Sequence, residues 1–344
     1  MADAGERLDR ALGRDLAEPV TIDLDATQIT VYGRCKDGAA RCRTGQLSCA
    51  PQIAFWAQRN RALTAELVGG NQERLGPKEC ARIASRAIGL LPAGHGAVTM
   101  RVDSAYYAIE LLDRLRKEQT RFTVSVPRSQ AMWKALSQIP DSAWVDALDM
   151  PGAQVAEIVR RVPFAAEQIA RLKGSRRLQT IPPEQLQMAL DGQLASVYGH
   201  SFILTDIPHQ PTAWVEHFHR HRAQIEERLK DTKTGQALRH LPSGDINANR
   251  VWLTAAMLAV NLTAWCCDLS PAAAASGQAP KNTPLRRLLF NIPHRVGPGD
   301  PATGRQQRLI PVLSRRGRQT RSREQPSATP QRGHPNTPLP RSSS

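Results

Sequence analysis

Ala97-Val-Thr-Met-Arg-Val-Asp-Ser-Ala-Tyr-Tyr107 decides how this chain folds. Residues 97–102 are apolar or β-branched around a single arginine and read as a compact strand. Asp103 and Ser104 then supply the side-chain acceptor that a helix start needs, and the pattern predicts a helix over 105–117. Arg121-Phe-Thr-Val-Ser-Val126 is the next strand. Strand, helix and strand at this spacing make a right-handed crossover, so the two strands lie parallel in one sheet.

Upstream, Val20-Thr-Ile-Asp-Leu-Asp-Ala-Thr27 alternates as a half-buried strand does and runs on through 28–32. Strand patterns recur at 52–56 and 62–68, Gly69-Gly70-Asn71 breaks them, and 77–91 reads as an amphipathic helix. Three strands and a helix therefore precede the crossover. Downstream, 127–210 is mixed, with a helix at 130–139, weak strands near 143–148 and 177–181, and a clearer one at 201–206. We read it as an insertion. Two long helices, 211–232 and 247–269, follow, joined by the turn Leu241-Pro-Ser-Gly-Asp245. The fold class predicted is α/β, a mixed sheet flanked by helices.

The formal charge of +15 and isoelectric point near 10.2 favour a polyanionic partner, of which nucleic acid is the commonest. Ten arginines, no lysine and two acids lie beyond position 294, so the rest of the chain holds less than half of that excess. The tail from 297 has too few apolar residues to offset the entropy of folding and is expected to be disordered. Arginine without lysine fits a basic arm for nucleic acid, and equally a GC-rich frame read after a shift. The six cysteines form no C-x-x-C pair, and Cys35, Cys42 and Cys49 are spaced too widely, without a nearby histidine, for a structural zinc site; reduced thiols are expected. Residues 1–18 lack the apolar run of a secretory leader, and 251–267 is too short and polar for a membrane span. A cytoplasmic location without a membrane partner is the expectation.

Two carboxylates sit at strand ends, Asp25 in the first strand and Asp103 after the fourth, where open α/β sheets place ligand-binding groups. In a sheet of order 3-2-1-4-5 they meet where the order reverses. The helix from His217 can add a third acid. Three acids suit phosphodiester chemistry, because two Mg²⁺ ions can activate a water and stabilise the leaving oxygen, and Mg²⁺ prefers carboxylate oxygens. On a continuous helix Arg222, Glu226 and Lys233 fall on one face. Alone, that pattern describes a solvated salt-bridged helix. Glu227, about 100° round the helix, is the control for Glu226.

The blocks 20–27, Arg101-Val-Asp-Ser-Ala-Tyr-Tyr107 and His217 to Lys233 resemble the three catalytic blocks of bacterial insertion-sequence transposases, in the family "transposase DDE domain group 1". His219-x2-Arg222-x3-Glu226-x6-Lys233 resembles the Tyr-Arg-Glu-Lys signature of the wider cut-and-paste group, with His219 in place of the tyrosine. The resemblance implies a ribonuclease-H-like core with an insertion before the glutamate-bearing helix. It implies Asp25, Asp103 and Glu226 as catalytic metal ligands, with Asp25 preferred to Asp23 for its Asp-x-Thr setting. His219, Arg222 and Lys233 would bind DNA. The expected cofactor is Mg²⁺, with Mn²⁺ able to substitute, as two ions. The partners are DNA, at transposon ends and target, and a second copy of the chain, at the nucleoid.

On this reading 1–19 is an amino-terminal remnant, 20–126 the first part of the core, 127–210 the insertion, 211–296 the helical end of the core and 297–344 the tail. Members of the family begin with a further region that recognises transposon ends. Asp25 lies about two dozen residues from Met1, so a truncated and inactive chain is one expectation, and a DNA-binding remnant or regulator is the alternative. A zinc site at His217 and His221, spaced i and i+4, is a weaker one.

Overall fold

The computed structural model describes residues 2–33, 35–158, 171–179, 197–235 and 237–269, with two short strands at 294–296 and 309–311. A helix α1 (Ala2–Ala11) opens the chain. Then come β1 (Val20–Ala26), β2 (Ile29–Thr30), β3 (Ala40–Arg41), β4 (Leu47–Trp56), β5 (Arg61–Gly69) and α2 (Pro77–Ile88). The crossover is β6 (Val98–Val102), α3 (Ile109–Lys117) and β7 (Arg121–Ser125). After it come α4 (Gln130–Leu136), β8 (Val145–Asp146), β9 (Ala153–Ile158), β10 (Arg171–Gln179) and β11 (Val197–Thr205). Helices α5 (Thr212–Arg220), α6 (Ala223–Gly235) and α7 (Ile246–Asp268) complete the unit Met1–Leu288. Within the second unit, Leu289–Ser344, β12 (His294–Val296) pairs antiparallel with β13 (Leu309–Pro311); the rest of the tail expected to be disordered lies outside the described residues.

In the first unit the strands order as β5-β4-β1-β6-β7-β11-β10-β9-β8. β1 is antiparallel to β4 and parallel to β6, and β6 is parallel to β7. Counting only the first five long strands, the order is 3-2-1-4-5, as expected, and this mixed sheet flanked by helices is the ribonuclease-H-like arrangement. The crossover connection puts α3 on one face. Alternation along β1 divides the layers. Val20, Ile22 and Leu24 join a core with residues of α2 and α3, including Ile83, Leu111 and Leu115. Thr21, Asp23 and Asp25 point to the opposite face, where α6 crosses β1. A second core lies on that side, with Ile53, Phe55 and Leu67 against Ile225, Leu229, Leu253 and Met257. Both faces of the central strands are covered, which is why even the polar residues of β1 are buried.

Gly70 has a steric reason at the predicted break after β5: a Cβ there would stand 2.1 Å from the Ser48 hydroxyl and 2.6 Å from the Ala40 and Ser48 carbonyl oxygens. The stretch read as an insertion contributes β8 to β11, and these strands continue the same sheet, because β11 pairs antiparallel with β7. β9 carries no strand signal that stood out in the sequence; its register against β10 supplies the pairing. The helix expected at 105–117 begins later, since Tyr107 and Ala108 are extended and Tyr106 is drawn into the core. All six cysteines are free thiols.

Helix α7 is long and apolar enough to cross a membrane by length and composition, but it packs on β5 and supplies Leu253, Ala256, Met257 and Val260 to the second core. Its Asn261 pairs with the edge of β5 as a further strand would: the side-chain amide accepts from Ala62 N–H (2.8 Å) and donates to the Ala62 carbonyl (2.9 Å). Asn261→Ala leaves both groups buried without a partner, and a loss of about 1–3 kcal/mol is expected in urea unfolding. A loss below the scatter of the measurement would show that water replaces the amide.

Candidate active site

Parallel register brings the first two acids together. Leu24 pairs with Val102, so Asp25 and Asp103 are the next residues of neighbouring strands, which run about 4.8 Å apart. Asp25 is held at the last turn of β1, where its Oδ1 accepts from the Ala26 N–H (2.9 Å). Asp103 caps the turn that follows β6, accepting from Ala105 N–H (2.9 Å). Glu226 reaches the same place from α6 through Arg222. The Arg222 guanidinium donates to Asp25 Oδ2 (3.3 Å) and stands 3.8 Å from Glu226 Oε1.

The Asp25 carboxyl is pushed up to about 6 by burial, and the charges of Asp103 and Glu226 add to the rise while Arg222 opposes it. Each of the other two acids therefore lies within electrostatic reach of Asp25. Oxygen donors of this kind are chemically suited to Mg²⁺. Among the described residues, however, no three His, Cys, Asp or Glu side chains stand close enough to share one ion as they are arranged. The cation that Asp25 and Glu226 meet is the Arg222 guanidinium.

Asp23 belongs to a different assembly. It is fully buried and takes two bonds from Arg101 (2.6 and 2.9 Å), its register partner on β6. Arg101 also donates to the Phe218 carbonyl (2.7 Å) and lies 4.9 Å over the Phe218 ring. This buried pair ties the sheet to α5, and it leaves Asp25 as the β1 acid with a neighbouring acid at the strand end.

The single helix expected over 211–232 is two helices, broken at His221–Arg222. Tertiary bonds on both sides of the break override the helical pattern. His219 is buried, with Nδ1 on the Thr123 hydroxyl (2.8 Å) and Nε2 on the Ser125 hydroxyl (2.9 Å), which fastens the end of α5 to β7. Arg222, three residues on, turns to Asp25. The face expected to unite Arg222, Glu226 and Lys233 is thus reduced to Arg222 and Glu226. Lys233 is half-buried, and burial pushes its amine's pKa down. Glu227 is exposed on another face.

His219 was expected at DNA. Both its ring nitrogens are engaged inside the protein, where they tie α5 to β7. Its pKa is pushed down to about 3 by burial, with the charges of Arg222 and Arg101 adding to the effect. The unfolded chain binds a proton here below about pH 6.5 that the folded chain refuses. Its contribution to stability is therefore complete above that pH and declines as pH falls toward 3, by up to about 1.4 kcal/mol per pH unit. Urea unfolding at pH 7 and pH 5 should show this dependence, reduced in His219→Gln; equal slopes in the two proteins would refute it.

His217 and His221 do not assemble a zinc site among the described residues. His217 Nε2 faces Asp149 (3.1 Å) and His221 Nδ1 faces the His217 carbonyl (2.7 Å), which occupies one nitrogen of each ring. Tyr106 escaped the sequence reading. It is fully buried, its hydroxyl donates to Gln52, and burial together with the charges of Asp25 and Asp103 holds that hydroxyl protonated. The available signal was its position three residues after Asp103.

The sheet order, with Asp25 and Asp103 at the ends of its first and fourth strands where that order reverses, defines a ribonuclease-H-like fold. The family model "transposase DDE domain group 1" matches residues 6–298, and the chain belongs to that family. No curated protein matches this sequence. Among solved structures it is similar to a piggyBac transposase synaptic complex with hairpin DNA, determined by cryo-electron microscopy. The identity is 9% and the TM-score 0.47, over 79% of this chain and 52% of that one. The chain spans about half the length of that structure's chain.

Proposed function

We propose that this chain cuts DNA at the ends of an insertion sequence and joins the freed 3′ hydroxyl to target DNA, with Asp25, Asp103 and Glu226 as its metal-binding acids. The observation that supports this reading best is the register that makes Asp25 and Asp103 neighbours, with Glu226 brought to them by Arg222. The three acids would hold Mg²⁺, or Mn²⁺ in its place, as two ions. When bound, such ions activate the attacking oxygen and stabilise the leaving one.

The chain's own residues supply the rest. The Arg101–Asp23 pair and His219 fix the seats of α5 and β7, so that Arg222 enters the site from a defined direction. Arg222 neutralises charge between Asp25 and Glu226, and its guanidinium is suited to hold a phosphate near the scissile bond. Both displacements occur in line at phosphorus and need no covalent enzyme intermediate. Because two ends must be joined, the working form is a homodimer, acting on DNA at the nucleoid in the cytoplasm.

A second reading has one observation in its favour. With Arg222 already meeting Asp25 and Glu226, the chain suits a DNA-binding regulator that does no chemistry. Nicking of supercoiled plasmid in Mg²⁺ or Mn²⁺, abolished by Asp103→Ala and by Glu226→Ala, separates the two. Protein that binds plasmid and never nicks it would establish the regulator.

A further inference from the structure

A groove runs across β7, β11 and β10, and of the residues in the catalytic reading Arg222 and His219 line it, while its other arginines have no part in that reading. Arg222, which meets Asp25, lines it together with Arg128, Arg177 and Arg220, and with Ser175 and Ser201. The floor is a row of register partners: Ser125 faces Ile203, Ser201 faces Ser175, and Gly199 faces Arg177. Apart from Ile203, the residues in that row opposite the arginines are small, and Met150, His200 and His219 also line the groove. A phosphodiester backbone can therefore come close while guanidinium groups meet its oxygens. The acid that lines the groove, Glu216, is held by Arg220 (3.0 Å), which cancels its charge. Arg177 is exposed and makes no ion pair among the described residues.

We propose that this groove carries the backbone of the DNA strand flanking the cut, with Arg128 and Arg177 as its outer phosphate contacts. The proposal rests on the catalytic reading above and adds the path of the strand. Two interstrand spacings separate β7 from β10, roughly 10 Å, which matches about three nucleotides at 3.4 Å each. A phosphodiester chain fits the groove better than an acidic peptide, because the row includes Arg222, which meets Asp25 of the acid site, and offers the paired Ser175 and Ser201 hydroxyls as well as charge.

The test is fluorescence anisotropy of a labelled 30-nucleotide DNA, single-stranded and as duplex, with the full chain in EDTA. Arg128→Ala/Arg177→Ala should weaken binding on the order of 50-fold at 0.1 M salt and make the salt dependence shallower by about 1.8 for the duplex and about 1.4 for the single strand, the loss of two phosphate contacts. Ser201→Asp, which leaves the arginines in place and adds a negative charge to the floor, should weaken it as well. Arg82→Ala/Arg114→Ala removes two cations from α2 and α3 on the far face of the sheet and should leave binding as it was. Unchanged binding in both groove variants, an equal loss in the far-face control, or RNA of the same sequence held more tightly than DNA through Arg128 and Arg177 would each overturn the proposal. Chelation makes this readout independent of cleavage. Nicking that survives Asp103→Ala would overturn the catalytic reading and leave the groove result in place.

Discussion

Replacing Asp103 or Glu226 by alanine is expected to lower plasmid nicking in Mg²⁺ or Mn²⁺ by on the order of 10³-fold, with Asp25→Ala acting alike and Glu227→Ala having little effect. The size follows from the chemistry: ions at such a site supply several kcal/mol to the transition state, and each 1.36 kcal/mol is a factor of ten. The contrast between Glu226 and Glu227 carries the argument. They are adjacent in sequence and alike in charge, yet Glu226 alone meets Arg222 and adds to the rise in the Asp25 pKa. Equal losses in the two variants would point to helix damage instead of a lost ligand. Melting curves of each variant guard against that outcome.

Asp9→Ala should have the largest effect on stability. Asp9 is fully buried and receives Arg61 at 2.6 and 2.8 Å and Arg14 at 3.1 Å, with Arg59 at 3.8 Å. Arg14 and Arg61 extend the network to Asp268 at the end of α7 (2.8 and 3.5 Å). Removing one anion from a buried group of cations strands charge away from water and costs about 3–5 kcal/mol. The melting temperature should fall by on the order of 10 °C. Asp3→Ala breaks an exposed pair with Arg7 on the same helix and should leave melting unchanged. A shift for Asp9→Ala no larger than that for Asp3→Ala would mean that α1 is not seated on the core. The result bears on 1–19, which read in the sequence as a remnant and in the structure is fastened to β5 and α7.

The central sheet was readable because its strands are buried on both faces and bounded by turns, so apolar runs and breaks mark them without any knowledge of their partners. Strand, helix and strand at 97–126 implied parallel pairing, and the 3-2-1-4-5 order followed from the choice of neighbours. The weaker strands of 127–210 escaped assignment as part of that sheet. β9 and β10 include polar and charged residues, and only their register partners give them strand structure.

The acids were legible for a different reason. Strand ends are local facts and put Asp25 and Asp103 forward, and the family resemblance added Glu226 from the helix. The roles of their basic neighbours were not local. His219 and Lys233 occupy positions in a sequence pattern that suggests phosphate contact. In the folded chain His219 is bonded to Thr123 and Ser125, and Lys233 is half-buried.

By itself, then, the sequence determined the class of sheet and its parallel crossover, because these depend on periodicity and on spacing along the chain. Tertiary structure alone decided which aspartate of β1 is neutralised by Arg101, where the glutamate helix breaks, and which cation stands between the acids. Those outcomes depend on the pairing of residues 78, 94 and 197 positions apart. A buried charge or imidazole must find its partner wherever the fold brings one, and sequence spacing does not show which distant group that will be.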